Sequence, residues 1–150
     1  DGIASIEMFE AVGEKYWPIY FNSLKNLMKN GAKSTLQIIT IADEIFPEYR
    51  KRVDFIQKYI FPGGMLPSKK ALEKQFLQVG LKSINLKSFG SSYSKTLRLW
   101  HSSFNSVWDD IASVKFDDRF KRMWNFYLAS CAAVFYSKTG DVIQVTLKKS

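Results

Sequence analysis

The stretch that decides the fold class is "STLQIITIA" at residues 34–42, a run that is apolar and β-branched at its centre. Such a run is typical of a strand covered on both faces, as in a parallel sheet between helices. The preceding segment, "KYWPIYFNSLKNLMKNG" (15–31), has apolar residues at helical spacing. Pro18 suits its first turn, and Asn30-Gly31 suits its end. A helix followed by a buried strand is the repeating unit of an α/β fold.

The rest of the chain continues this alternation. Further strands are predicted at 3–9, 81–89 (half-buried) and 141–149, and further helices at 68–80, 92–114 and 117–140. The expected N-caps are Ser68 and Asp117 or Asp118, and the expected C-terminal stops are Gly80 and Gly140.

The resulting order is β-α-β-(insert)-α-β-α-α-β, which predicts an α/β layer with a mainly parallel sheet. The last strand follows a helical excursion, so it can insert antiparallel beside its neighbours. Residues 43–70 are predicted to leave the sheet, with a short helix near Tyr49 to Tyr59.

Composition narrows the function classes. The 150 residues carry 22 Lys and Arg against 14 Asp and Glu, and this net charge of +8 favours anionic partners. The basic residues are spread along the chain, which argues against a nucleic-acid arm. A basic protein with no specific polyanion is the alternative. Cys131 is the single cysteine, which suits a reducing cytoplasm, and the apolar runs are too short to span a membrane.

Familiar catalytic motifs are absent from the sequence. It contains no GxGxxG, Walker loop, CxxC or HExxH pattern, and no serine in a G-x-S-x-G elbow. One histidine and one cysteine cannot build a zinc site. Composition and spacing alone therefore indicate only a basic α/β domain or part of one.

Four longer motifs carry a family resemblance. In chain order they are "SIEMFEAVG" (5–13), "DFIQKYIFPGGMLPS" (54–68), "FGSSYSKTLRLW" (89–100) and "RFKRMWNFYLASCAAVF" (119–135). Together they resemble the C-terminal half of the cyclopropane-fatty-acid synthase family, which includes the mycolic acid cyclopropane synthases. The resemblance covers nearly the whole chain.

The resemblance implies a class I methyltransferase sheet with helices on both faces. It implies transfer of the methyl group of S-adenosylmethionine to a cis double bond of a phospholipid acyl chain. The resulting carbocation loses a proton to a bound bicarbonate ion, and a cyclopropane ring closes. A greasy, aromatic-rich site suits this chemistry, because it shields a cation from water. A sibling enzyme that adds a methyl branch without closing the ring is the alternative.

The resemblance also places the bicarbonate site. The family's bicarbonate-binding glutamate corresponds to Glu10, its tyrosine to Tyr93, and its isoleucine, whose backbone contacts the ion, to Ile6. The family's histidine is replaced by Gln37, which donates and accepts hydrogen bonds but takes up no proton near neutral pH. The bland alternatives are a helix-capping role for Glu10, strand core for Ile6 and a buried tyrosine for Tyr93. No metal is implied.

The motif at 54–68 resembles the family's segment that helps to wall the acyl pocket. Pro62-Gly63-Gly64 is predicted to turn the chain, and the expected pocket residues are apolar or aromatic: Tyr59, Ile60, Phe61, Met65 and Leu66. Packing of this loop on its own domain is the alternative. The basic residues nearby are expected to meet anionic headgroups at a membrane surface: Arg50, Lys51, Arg52, Lys69 and Lys70.

The resemblance puts the cofactor loop and the first strands of the sheet upstream of this chain. We therefore expect residues 1–150 to be the C-terminal part of one methyltransferase domain, with the insertion at about 43–70 and a helical segment at about 91–139. Alone, it is expected to bind S-adenosylmethionine poorly and to be inactive. A homodimer and a non-catalytic lipid-binding remnant are left open. The complete enzyme is expected to be cytoplasmic, at the membrane surface.

Overall fold

The computed structural model describes residues 2–112 and 116–149 and divides the chain into two compact units. The first unit runs up to Phe89 and resumes at Gly140, and the second is Gly90–Thr139. In the first unit the elements are β1 (Gly2–Ile6), α1 (Trp17–Leu27), β2 (Lys33–Ile41), α2 (Phe46–Tyr49), α3 (Phe55–Tyr59), α4 (Lys69–Val79), β3 (Leu81–Ser88) and β4 (Gly140–Lys149). The second contains α5 (Gly90–Ser106), α6 (Trp108–Ala112) and α7 (Asp118–Tyr136). No helix of the described ranges is long and apolar enough to cross a bilayer.

The four described strands form one mixed sheet in the order β1-β2-β4-β3. β1 pairs parallel to β2, and β4 inserts antiparallel between β2 and β3. Three strands therefore run in one direction and the last runs against them. The α/β class and the antiparallel insertion of the last strand are confirmed.

The hydrophobic core of the first unit covers one face of the sheet. Leu36 and Ile38 of β2 and Val145 of β4 are fully buried there, and aromatic residues of α1 and α4 pack in the same cluster. The opposite face of β2 is more open, because Thr35 is exposed and Gln37 is only half-buried. The prediction that this strand is covered on both faces is therefore wrong for its first half.

Several boundaries differ from the sequence predictions. The first strand ends at Ile6 because Glu7 takes a left-handed φ of 50° and a 3-10 turn follows at Phe9–Ala11. The single helix predicted near 49–59 is instead α2 and α3, separated by the capping box of Asp54 with Gln57. The helix predicted at 92–114 stops at Ser106 and is followed by α6, while residues 113–115 lie outside the described ranges.

The ends of the other elements are mostly as predicted. Ser68 accepts a hydrogen bond from the backbone of Ala71, and Gly80 ends α4 in the left-handed conformation with φ of 70°. Asp117 caps α7. Gly140 does not stop α7, which ends at Tyr136, but begins β4. β3 is less buried than predicted, since it is an edge strand with a bulge and only its Leu81 is buried.

Candidate functional site

Glu10 lies just beyond the end of β1, in the 3-10 turn Phe9–Ala11. Its side-chain Oε1 accepts a hydrogen bond of 2.6 Å from the backbone N–H of Ile39 on β2. Its backbone carbonyl accepts one of 2.8 Å from the N–H of Met65. The preceding Phe9 is 1% exposed and anchors this turn in the core. Glu10 therefore has hydrogen bonds both to β2 and to the insertion. It lies near the carboxyl ends of the parallel strands, where α/β folds bind ligands.

The second carboxylate oxygen of Glu10, Oε2, is buried and has no hydrogen-bond partner among the described residues. The other such atoms belong to the neutral side chains Trp17, Ser34 and Gln75. A buried polar atom without a partner costs about 1–3 kcal/mol, and more when charged. Burial raises the pKa of Glu10, and the nearby charge of Glu7 raises it further. The backbone hydrogen bond from Ile39 lowers the pKa but does not outweigh burial. Oε2 is therefore suited either to hold a proton or to accept one from a ligand's hydroxyl.

Gln37 lies in the middle of β2, and its side chain bonds to the residue that follows β1 and to β4. Its Nε2 donates to Oε1 of Glu7 at 2.8 Å, and its Oε1 accepts from Nε2 of Gln144 on β4 at 2.9 Å. Ile6 is its register partner on β1, with a side chain that is 70% exposed. The structure thus places Ile6 beside Gln37, and it places Glu10 against Ile39, two residues beyond Gln37 on β2.

Tyr93 lies in the helical unit, near the start of α5. Its ring packs against Phe135 of α7 with the ring centroids 5.5 Å apart, and the residue is half-buried. Its role toward an ion stays a prediction.

In the same unit a cavity of about 390 Å³ opens between α5 and α7, lined by Arg98, His101, Leu128, Ala129, Ala132, Ala133 and Tyr136. None of the predicted acyl-pocket residues lines this cavity.

The predicted turn at residues 61–64 is present. The N–H of Gly64 donates to the carbonyl of Phe61 at 2.9 Å, and Gly63 has φ of 81°. Proline at the second position and a left-handed glycine at the third are the features of a type II turn. Gln57 reinforces the turn by donating to the carbonyl of Gly64 at 2.9 Å. The turn places the backbone N–H of Met65 so that it donates to the backbone carbonyl of Glu10.

The five predicted pocket residues divide between surface and core. Tyr59 and Phe61 are 51% and 56% exposed, while Ile60 and Leu66 are half-buried. Met65 is 8% exposed and belongs to the core cluster, against which Leu66 also packs. For Met65 the structure therefore favours the alternative of packing onto its own domain. The outer residues remain candidates for contact with an acyl chain.

Most of the basic residues around this loop have acidic partners. Arg50 pairs with Glu14 at 2.6 Å, Lys51 pairs with Glu48 at 2.8 Å, and Arg52 is 4.0 Å from the same Glu48. Lys69 pairs with Asp141 at 2.7 Å. These pairs are exposed or half-exposed, so the partners remain within reach of solvent and of a charged surface.

Replacement of Gly63 by alanine should disturb the site from a distance. A left-handed φ costs a residue with a Cβ about 1 kcal/mol or more, so Gly63→Ala should destabilise the protein by roughly that amount. Gly31→Ala is a matched control, because Gly31 has φ of 74° and, like Gly63, leaves open space around an added Cβ. Denaturant unfolding should show similar losses for both. Only Gly63→Ala should also weaken ligand binding at Glu10, and equal binding by the two variants would contradict this link.

Three residues of this site were not expected from the sequence: Glu7, Ile39 and Gln144. Glu7 stands in the same motif as Glu10, so its charge was a visible signal, but its left-handed backbone was not. Ile39 acts through its main-chain N–H, which no side-chain pattern reveals. Gln144 is opposite Gln37 only because β4 inserts beside β2.

Comparison with known proteins decides the family. The family model described as mycolic acid cyclopropane synthetase matches residues 1–145. The chain belongs to this family. It is 41% identical over 148 residues to a tuberculostearic acid methyltransferase of Mycobacterium tuberculosis, covering 98% of this chain and 35% of that protein. It is 34% identical over 151 residues to the cyclopropane-fatty-acyl-phospholipid synthase of Escherichia coli, covering 99% of this chain and 37% of that one.

Solved structures of the cyclopropane synthase family have the same fold. A mycolic acid cyclopropane synthase complexed with SAH and CTAB matches with a TM-score of 0.88 at 27% identity, over 99% of this chain and 55% of that one. A cyclopropane synthase from Mycobacterium tuberculosis matches with the same TM-score at 25% identity. The resemblance and the fold class predicted from the sequence are thereby confirmed. The chain spans little more than a third of the two curated relatives and about half of the first solved structure.

Proposed function

We propose that the complete protein containing this chain adds a methylene group to a cis double bond of a phospholipid acyl chain and closes a cyclopropane ring. The methyl group leaves S-adenosylmethionine for one alkene carbon, and the neighbouring carbon becomes cationic. Loss of one proton from the added methyl group closes the ring. The net change is one CH2 added and one proton released.

The observation that carries this proposal is the buried Glu10 carboxylate, with Oε2 unpartnered among the described residues and the motif "SIEMFEAVG" around it. Such an oxygen fits a small oxyanion that carries one hydroxyl group. Glu10 would hold the hydroxyl side of bicarbonate, with Gln37 nearby on β2. When bound, bicarbonate would supply a weak base for the released proton. S-adenosylmethionine would supply the methyl group from a site outside this chain, so we propose that the chain alone is inactive.

The acyl chain and the membrane would meet the protein at the insertion. Val53, Tyr59 and Phe61 are exposed apolar or aromatic side chains within a few residues of Arg52 and Lys58. Such a mixture suits an interface with anionic headgroups. Co-sedimentation of the complete protein should be stronger with phosphatidylglycerol vesicles than with phosphatidylcholine vesicles. Equal binding to both would contradict an electrostatic contact.

A second product is supported by the relatives. Identity is higher to the tuberculostearic acid methyltransferase, at 41%, than to the cyclopropane-fatty-acyl-phospholipid synthase, at 34%. A sibling activity would direct the same cation to a methyl-branched chain without closing a ring. The two activities share the methyl donor and the alkene and differ in where the proton is lost.

Mass spectrometry of acyl chains tests both the cyclopropane product and the methyl-branched product. Cells that express the complete protein should gain monounsaturated chains heavier by one CH2 group, and ozonolysis should find no double bond in them. The same gain with a double bond retained would favour the branched product. Unchanged lipids in cells that make soluble protein would contradict both.

A further inference from the structure

The α5–α7 cavity, of about 390 Å³, lies within the helical unit, and no residue assigned above to the oxyanion or to the acyl chain lines it. Leu128 and Ala132 line its buried part, and Ala129 and Ala133 line its exposed part. None of these four side chains carries a hydrogen-bonding group. A volume of this size with a mostly apolar lining is typical of a small-molecule site.

Arg98 brings a positive charge to this cavity, and two contacts hold its guanidinium in place. One N–H group donates to Oγ of Ser94 at 3.3 Å, and the buried Ser94 hydroxyl donates in turn to the backbone carbonyl of Ala132 at 2.9 Å. The guanidinium carbon also lies 5.4 Å from the centroid of the Tyr136 ring, within range of a cation–π contact. A guanidinium has five N–H groups, so most of the donors of Arg98 remain available to a ligand.

The charges around the cavity are of one sign. No carboxylate in residues 2–112 and 116–149 forms an ion pair with Arg98. α5 contains no acidic residue, and the only one in α7 is Asp118 at its first position. Lys95 and Lys138 lie within three residues of Arg98 and Tyr136 in the sequence and add positive charge. The cavity is therefore complementary to an anionic ligand.

We propose that the α5–α7 cavity binds the carboxylate end of a free long-chain fatty acid. The planar guanidinium of Arg98 matches a carboxylate through two parallel hydrogen bonds. His101 also lines the cavity, and its imidazole can donate one further hydrogen bond. The first methylene groups of the ligand would then cover Leu128 and the alanines.

The lining favours a carboxylate over a phosphate. A phosphate has more oxygens to satisfy than a carboxylate and often carries a second negative charge. Apart from Arg98 and His101, the neighbours of such a group would be mostly apolar side chains. Polar oxygens that lie against apolar side chains without hydrogen bonds lose free energy relative to water. A single-chain ligand with one planar, singly charged head therefore fits best.

Calorimetric titration of the complete protein with decanoate, at concentrations where decanoate is monomeric, tests this site. The variant Ala133→Phe should weaken decanoate binding by tenfold or more, because the added ring occupies the exposed part of the cavity. Ser103→Phe is the matched control, since Ser103 is exposed on α5 and does not line the cavity. It should bind decanoate within twofold of wild type.

The variant Arg98→Gln tests the charge. Glutamine keeps an N–H group but loses the positive charge, so decanoate binding should weaken by about tenfold, the loss of one hydrogen bond between charged groups. Arg122→Gln is the control, because Arg122 is an exposed arginine of α7 outside the cavity, and it should bind decanoate within twofold of wild type. Each methylene group that the cavity buries should strengthen binding by up to about fourfold, so octanoate should bind more weakly than decanoate.

Three ligands separate a carboxylate site from the alternatives. Ala133→Phe should leave the binding of decyltrimethylammonium unchanged, because this cation should not enter the cavity, and decyl phosphate should bind there more weakly than decanoate. If Ala133→Phe weakens the binding of decanoate and of the cation equally, or if decyl phosphate binds more tightly than decanoate, the assignment of a carboxylate is wrong. The proposal also fails if the wild-type protein binds no decanoate, or if Ala133→Phe and Arg98→Gln both bind it within twofold of wild type.

Discussion

Replacement of Glu10 by glutamine in the complete protein should lower methyl transfer to the acyl chain by about 100-fold or more, the usual cost of removing one preorganised polar group from a reacting centre. Glutamine has nearly the same shape and keeps an oxygen that can accept from the N–H of Ile39. It places an NH2 group where Oε2 now lies, so the site loses its acceptor for a hydroxyl. A rate within fivefold of wild type would contradict the role assigned to Glu10.

The same substitution should stabilise the fold at neutral pH. Burial raises the pKa of Glu10 above its ordinary value of 4.5, so the folded state disfavours the charged form. The stability associated with protonated Glu10 is fully present below pH 4.5 and is lost as the pH rises through the raised pKa. Glu10→Gln should therefore gain stability over wild type on going from pH 4 to pH 7.

Denaturant unfolding at the two pH values measures this difference. Glu14→Gln is the matched control, because Glu14 lies four residues further along the same segment and pairs with Arg50 at the surface. It should change the rate of methyl transfer by no more than a small factor. A Glu10→Gln protein that loses activity and stability together would indicate a structural role instead.

Replacement of Phe9 by alanine should have the largest effect on stability, a loss of about 3–5 kcal/mol. Phe9 is 1% exposed, and its ring centroid lies 5.2 Å from that of Trp17, 5.0 Å from Tyr20 and 5.1 Å from Phe21. Removing the ring opens a cavity at the meeting point of three aromatic side chains. Because Phe9 directly precedes Glu10, the turn that holds the carboxylate should loosen as well.

The variant Phe76→Ala separates the loss of core stability from the loosening of the Glu10 turn. Phe76 is 4% exposed and packs on Phe21 at 5.1 Å, but it lies on α4 rather than in the Glu10 turn. Denaturant unfolding should show a comparable loss of stability for both variants. At a temperature where both remain folded, bicarbonate binding should be weaker only for Phe9→Ala. Equal binding by both would show that the aromatic cluster does not position Glu10.

Much of the fold could be predicted from the sequence because its signals are local. The second half of β2 is β-branched from Ile38 to Ile41, Ser68 and Gly80 bracket α4, and proline and glycine mark the turn at 61–64. The order of strands and helices then restricted the topology to an α/β layer. Glu10 was found through the motif around it.

The wrong predictions concern features that neighbouring residues in the sequence do not determine. The coverage of β2 depends on what packs against each face, and its apolar centre did not reveal the open side at Thr35 and Gln37. The first strand was predicted too long because the left-handed Glu7 leaves no residue-type signature. The partner of Gln37 on β4 depends on a register set about a hundred residues away.

The central position of β4 also affects how the molecule is made. Thr35 and Thr146 bond across strands whose residues are 111 positions apart, so the middle of the sheet is assembled from distant parts of the chain. While a ribosome is still synthesising the helical unit, β2 and β3 do not yet have β4, the neighbour that they share, so the edges that will pair with it are open. Nascent chains stalled before Gly140 should therefore be held by chaperones or aggregate, because long-range pairing is slow and open strand edges attract one another.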